Sequence, residues 1–154
     1  MKLAIATKPT FFVEEDKIIT RLFDEGLDYL FLYKEYPHPQ FIERLLNLIP
    51  KKYHKRIYSC NSRLMKEYKL AGTLFPLGSN PPMGNEKGKV VGYASNLMHL
   101  KELRKTYDIV CFGPLGRTFH QSAELNEIGK KMINRNTWAF GNIDEANLKR
   151  LTNY

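Results

Sequence analysis

The stretch Asp108-Ile-Val-Cys-Phe-Gly-Pro-Leu-Gly-Arg-Thr118 decides the fold. The predicted strand is Asp108–Phe112, whose apolar run is too short for a helix and without strict alternation. Such a run reads as a strand covered on both faces. Gly113-Pro-Leu-Gly-Arg-Thr118 then turns the chain, and a helical period follows from Ser122 to Ile133, with Leu125, Ile128 and Met132 on one face. Strand, glycine-rich turn and helix make one β/α unit.

The same unit repeats in both directions. Upstream, the predicted strands are Leu3–Thr7, Tyr29–Tyr33, Arg56–Cys60, Gly72–Phe75 and Val90–Ala94; downstream there is Thr137–Phe140. Between them, helices are predicted over Glu14–Gly26, with Ile18, Ile19, Leu22 and Phe23 as its apolar stripe, and over Pro39–Ile49, with Phe41, Ile42, Leu45, Leu46 and Ile49. Asn61 caps a short helix to Lys69, Asn96 caps one carrying Leu97, Leu100 and Leu103, and Asp144 caps a last one with Leu148 and Leu151. Residues 76–89 are rich in Gly, Pro and Asn and read as a loop in place of a helix. Strands alternating with helices imply a parallel sheet with right-handed crossovers. The expected fold class is therefore α/β with seven parallel strands, over a single domain of residues 1–154. Two architectures fit: a TIM-barrel-like (β/α) repeat one unit short of eight, and a doubly wound open sheet, although Lys8-Pro-Thr-Phe11 lacks the glycine fingerprint of the latter.

Composition sets the outer limits. The 154 residues suffice for one hydrophobic core, and 43% hydrophobic with 26% charged residues is ordinary for a globular chain. No apolar run approaches the ~18 residues of a membrane helix, and MKLAIATKP lacks the length and cleavage pattern of a signal peptide, so a cytoplasmic location is expected and no membrane partner. Cys60 and Cys111 are expected to be buried, reduced thiols. Net charge is +8, from 24 basic and 16 acidic residues, which suits an anionic ligand. The densest basic run, Lys51-Lys-Tyr-His-Lys-Arg56, reads as a solvated loop on the side of the sheet away from the strand carboxyl ends, and nucleic acid is not the expected partner. His38 and His54 fall in loops and His99 on a helix; His120, beside Thr118, is the one acid/base candidate, with a surface position the expected one.

Ile5-Ala-Thr-Lys-Pro9, Leu30-Phe-Leu-Tyr-Lys34, Gly113–Thr118 and Ala139-Phe-Gly-Asn-Ile143 occur in the order and spacing of a known family. The chain resembles the thiamine phosphate synthase/TenI family of (β/α)8 barrels along nearly its whole length. Asp108–Thr118 is similar to the family's "DYV-x-x-GP-x-x-x-T". The resemblance implies a transferase, a thiamine phosphate pyrophosphorylase, that joins an aminopyrimidine pyrophosphate to a thiazole phosphate with Mg²⁺.

Residue by residue, this chain departs from that pattern. Where the family has Arg-Glu-Lys after strand 2, Tyr33-Lys34-Glu35 stands, leaving Lys34 as a point charge for phosphate. The metal-binding Asp expected after strand 3 is absent from Ser59-Cys-Asn-Ser-Arg63, and none follows strand 4 in Leu77-Gly-Ser-Asn80. A small hard cation needs charged oxygen ligands, so no metal site and no firm cofactor are expected, with Mg²⁺ implied only for an active enzyme. The family's Ser falls on Ala94 with Ser95 one place late, its Lys falls on Gln121, and its Gly-Gly becomes Gly141-Asn142. The surviving candidate phosphate site is Lys34, Gly113, Arg117, Thr118, Gly141 and Asn142, for a phosphorylated small molecule; no catalytic residue is assigned. A seven-strand barrel would leave strands 1 and 7 with free edges, and a homodimer covering that gap is expected. The alternative to a weak or lost synthase is a non-catalytic phosphate-ester-binding or regulatory/interaction protein of the TenI type.

Overall fold

The structure is a computed structural model, and it describes residues 2–35, 38–113, 134–141 and 143–145. Two compact units emerge: residues 1–75 with 81–90, and residues 76–80 with 91–154. Among the described residues there are seven strands, β1 (Ala4–Ala6), β2 (Tyr29–Leu32), β3 (Ile57–Ser59), β4 (Gly72–Leu74), β5 (Lys89–Ala94), β6 (Ile109–Phe112) and β7 (Thr137–Ala139). The helices are α1 (Glu15–Asp24), α2 (Pro39–Leu48), α3 (Ser62–Glu67) and α4 (Leu97–Leu103), with a 3₁₀ helix at Lys51–Arg56.

The strands follow one another across the sheet in chain order, β1 to β7. A doubly wound sheet reverses its strand order at a switch point. An unreversed parallel order is that of a (β/α) barrel wall, so the fold is TIM-barrel-like and incomplete among the described residues, with seven of the eight strands such a barrel takes.

In the first unit β1, β2, β3 and β4 pair in parallel: Ala6 with Phe31, Phe31 with Tyr58, and Tyr58 with Gly72. Leu30, Leu32 and Ile57 join the helix residues Ile19, Phe23, Ile42, Leu45, Leu46, Leu64 and Met65 in one core. Strand side chains alternate between faces. The other face therefore carries Phe31 and Tyr58, packed edge to face at 5.4 Å. Glycine is obligatory at position 72, because a Cβ there would lie 1.9 Å from the Lys89 carbonyl oxygen.

Helix ends follow local chemistry. Gly26, at φ 106°, closes α1: its N–H donates to Phe23 O, and that of Leu27 to Leu22 O. This is a Schellman arrangement. α3 ends the same way, with Leu70 N–H donating to Met65 O, but the left-handed position holds Lys69 at φ 53°. Asn61 caps α3 through Oδ1, which accepts from Leu64 N–H at 3.1 Å.

In the second unit β5 pairs with β6 and β6 with β7, again in parallel. Ala94, Val110 and Phe112 pack with Leu100 of α4. Asn96 caps α4 as its sequence predicts, accepting from His99 N–H at 2.8 Å. The helices predicted over Ser122–Ile133 and after Asp144 fall outside the described residues. No described helix is long and apolar enough to cross a membrane.

Three expectations are corrected. Ile18 and Phe41 lie on the exposed sides of α1 and α2, at 49% and 54% exposure, because the apolar stripe is narrower than the run of apolar residues. The basic run is the 3₁₀ helix, not a solvated loop throughout, with Tyr53 and His54 buried. His54 goes inside because the buried carbonyls at the end of α2, beyond the reach of further helical N–H groups, need a donor. Its Nε2 lies 3.0 Å from Leu46 O and 3.1 Å from Ile49 O.

The Gly72→Ala variant is expected to lose about 1–3 kcal/mol of stability or more, since backbone rather than a flexible side chain must move. Urea denaturation of the variant beside wild type measures it.

Candidate functional site

The carboxyl ends of β1 and β2 are clasped together. The Thr7 hydroxyl donates to Tyr33 O at 2.7 Å and accepts from Tyr33 N–H at 3.1 Å. One side chain thus supplies a further rung beyond the last strand pair.

Just past this clasp, the Lys34 side chain is fully buried. Its Nζ donates to Glu15 Oε1 at 2.6 Å and to the carbonyls of Lys8 and Thr10, each at 3.0 Å. An ammonium has three protons, and these three acceptors use them all. The Phe11 ring lies under the same ammonium, its centroid 4.5 Å away. Glu35 N–H donates to Pro9 O at 3.1 Å. Lys34 and Glu15 therefore bind the 8–10 loop to the end of β2. Glu15, an acid in the first turn of α1, is the residue that sequence reasoning missed. Nineteen residues separate it from Lys34, and no local spacing signals the pair.

At the ends of β3 and β4 the donors are poor for a cation. Ser59 Oγ accepts from Asn61 N–H at 3.2 Å, and Asn61 Oδ1 is engaged as the α3 cap. Burial pushes the Cys60 thiol up to about 11, so it is a neutral thiol at physiological pH. Among the described residues no three His, Cys, Asp or Glu side chains gather where they would hold a metal. This donor set does not fit Mg²⁺, whose octahedral shell of waters and phosphate oxygens is anchored to a protein by one or two carboxylates.

In the second unit Gly113 and Gly141 stand at neighbouring strand ends. Phe112 pairs in register with Ala139, and Phe140 N–H donates to Phe112 O at 3.1 Å. Gly113 is buried and its N–H donates to Ala94 O at 3.1 Å, so its backbone donor belongs to the sheet. Gly141 turns the chain at φ 86°, a conformation open to glycine. Ser95 is exposed at the end of β5. Tyr93 and Phe140 pack edge to face at 5.6 Å. Arg117, Thr118 and Asn142, together with His120, lie outside the described residues. The structure thus brings Gly113 and Gly141 to one rim and places Lys34 in the first unit.

Cys111 is buried on β6, and burial drives its thiol to about 12.

Two outcomes are expected. Lys34→Met leaves the Glu15 carboxylate buried without its cation and costs about 3–5 kcal/mol, while the double variant Lys34→Met/Glu15→Leu recovers most of the loss. Thermal and urea melts of the three proteins check this. Cys60, raised from 9.0 to about 11, carries about 100-fold less thiolate at neutral pH than an unperturbed thiol. Its iodoacetamide labelling at pH 7.5, followed by mass spectrometry, should be slower than that of a free cysteine peptide by a similar factor.

No protein-family model matches the chain, and no curated protein matches it. Solved structures do. The chain is similar to the crystal structure of thiamine phosphate pyrophosphorylase from Bacteroides thetaiotaomicron, with 39% identity and a TM-score of 0.91, over 99% of this chain and 78% of that one. It is also similar to thiamine phosphate pyrophosphorylase from Pyrococcus furiosus, with a TM-score of 0.75 over 99% of this chain and 80% of that one, where 15% identity speaks to fold alone. Strand order, the Gly113 and Gly141 rim and 39% identity across the whole chain agree: this chain belongs to the thiamine phosphate pyrophosphorylase family.

Proposed function

We propose that this chain binds a phosphorylated thiazole or a related phosphate ester at the carboxyl ends of β6 and β7, and that it has little or none of the coupling activity of a thiamine phosphate synthase. The observation that carries this reading is the chemistry of the β3 and β4 ends. Ser59 ends β3 with Cys60 and Asn61 after it, and Phe75 to Asn80 follow β4, with no carboxylate among them. Release of a pyrophosphate leaving group requires its developing charge to be neutralised by a metal and cations. Without acidic ligands, no Mg²⁺ is seated there for that step.

Phosphate binding makes a smaller demand. Backbone N–H groups in a glycine-rich turn, a hydroxyl and one guanidinium suffice for a dianion. Arg117, Thr118, Gly141 and Asn142 are the residues assigned to this role, while Gly113, whose own N–H donates to Ala94 O, opens the turn that carries Arg117 and Thr118. Lys34 has a different part: with all three protons donated inside the first unit, it acts as a positioning residue for the 8–10 loop.

Calorimetry with the hydroxyethylthiazole phosphate ester, with and without EDTA, tests the binding. Saturable heat is expected, with a Kd that chelation leaves within about twofold. Thr118→Val should weaken it by about tenfold or more, the worth of one hydrogen bond to a charged group. In parallel, turnover with both precursors and Mg²⁺ is expected at least ~100-fold below the ordinary enzyme range of about 1–10³ s⁻¹. Normal turnover would overturn the loss of activity, and an absence of heat would overturn the binding.

A further inference from the structure

We propose that the amino-terminal rim of the first unit is a docking face for the phosphate backbone of a nucleic-acid duplex. This goes beyond the phosphate-ester site, which lies at strand carboxyl ends.

The placement begins with two backbone hydrogen bonds. Ala71 N–H donates to Ile57 O at 2.8 Å, and Lys89 N–H donates to Ala71 O at 3.2 Å. They tie the starts of β3, β4 and β5 side by side. Two residues before each of these three positions stands a lysine: Lys55, Lys69 and Lys87. Ile57, Ala71 and Lys89 thus stand at the starts of neighbouring strands ~4.8 Å apart, and the three lysines lie in the segments that lead into them. Lys51, Lys52, Arg56 and Lys89 flank them, and all seven residues are exposed.

These cations are not neutralised within the unit. Glu25 pairs with Arg21 at 2.9 Å, and Asp24 accepts from the Tyr53 hydroxyl. Asp28 accepts from Leu3 N–H at 2.8 Å. Glu86 accepts from Met83 N–H at 2.7 Å and from Gly84 N–H at 2.9 Å. Among the described residues, none of Lys51, Lys52, Lys55, Lys69, Lys87 and Lys89 forms an ion pair with a carboxylate.

Lys69 adds an independent sign. It occupies the left-handed residue of the α3 Schellman turn at φ 53°, where glycine sits without strain and a lysine costs about 1–2 kcal/mol. Observed strain of this kind points to a role for the side chain.

The chemistry of the rim selects the partner. Six of the seven cations are lysines, point charges suited to a diffuse polyanion rather than to the paired recognition of single carboxylates. The aromatic rings there are already occupied. Tyr53 stacks on Phe23 at 4.8 Å and carries Lys52 and Arg56 over its ring, while Tyr68 packs against His54 at 5.9 Å. Single-strand binders stack bases on free rings. In a duplex the base faces are already stacked on one another, and its phosphate backbone needs no such platform.

Fluorescence anisotropy with a fluorescein-labelled 16-base-pair duplex of arbitrary sequence tests the proposal. Binding is expected at 50 mM salt, with log K falling linearly in log salt. Lys55→Glu/Lys69→Glu/Lys87→Glu should weaken it by at least about tenfold and make the salt slope shallower by about 3. An equal-charge control, Lys8→Glu/Lys17→Glu/Lys101→Glu, should weaken it by less than about threefold. Lys69→Gly separates folding from binding: it should raise the melting temperature and still weaken binding. No binding at 50 mM salt, equal loss in both triple variants, unchanged affinity in Lys69→Gly, or tighter binding of a polyglutamate of matching charge would each overturn it.

Discussion

Parallel pairing between consecutive strands is the constraint on which the rest of this molecule depends. Each strand runs the same way as the one before it and follows it across the sheet. Within each unit the carboxyl ends therefore lie at one rim and the amino ends at the other. The strands are short, three residues long in four of seven cases, so each pair has few backbone rungs. Side-chain clasps extend them. In the first unit Thr7 bridges to Tyr33, and the Lys34–Glu15 pair ties two loops together just beyond the last rungs. A buried ion pair adds little net stability, since desolvation offsets its attraction; it fixes geometry instead.

The fold was largely legible in the sequence because it is written in short-range terms. Ile109–Phe112 and Tyr29–Leu32 are apolar runs bounded by turn residues, and Asn61 and Asn96 mark helix starts by the chemistry of their own side chains. What escaped notice depends on distant partners. Glu15 looks like an ordinary first-turn acid until Lys34 arrives beside it, and His54 looks like a loop residue until the end of α2 presents its carbonyls. For the candidate site, the lack of a carboxylate in Ser59–Arg63 and in Leu77–Asn80 was legible directly from the sequence. The committed state of Lys34 was not, since a strand-end lysine facing solvent and one facing a buried glutamate share the same local sequence.

Charge in the first unit is divided between its two rims. At the carboxyl rim Lys34 is neutralised by Glu15, and Lys8 and Thr10 lend it their carbonyls. At the amino rim the acids are engaged with backbone N–H groups, an arginine or a tyrosine, and the lysines are left to solvent. A net charge of +8 is thus not spread evenly. Uneven charge creates a local potential that a uniformly basic surface lacks.

The setting of His54 carries a consequence at the level of a single proton. A neutral imidazole in water exchanges its hydrogen between two ring nitrogens with little preference. Here Nε2 meets two carbonyl oxygens, Leu46 O and Ile49 O, and an oxygen lone pair is not satisfied by a nitrogen lone pair. The neutral ring is therefore held as the Nε2–H tautomer. The exit of one helix thereby selects a tautomer that the amino-acid sequence leaves undetermined.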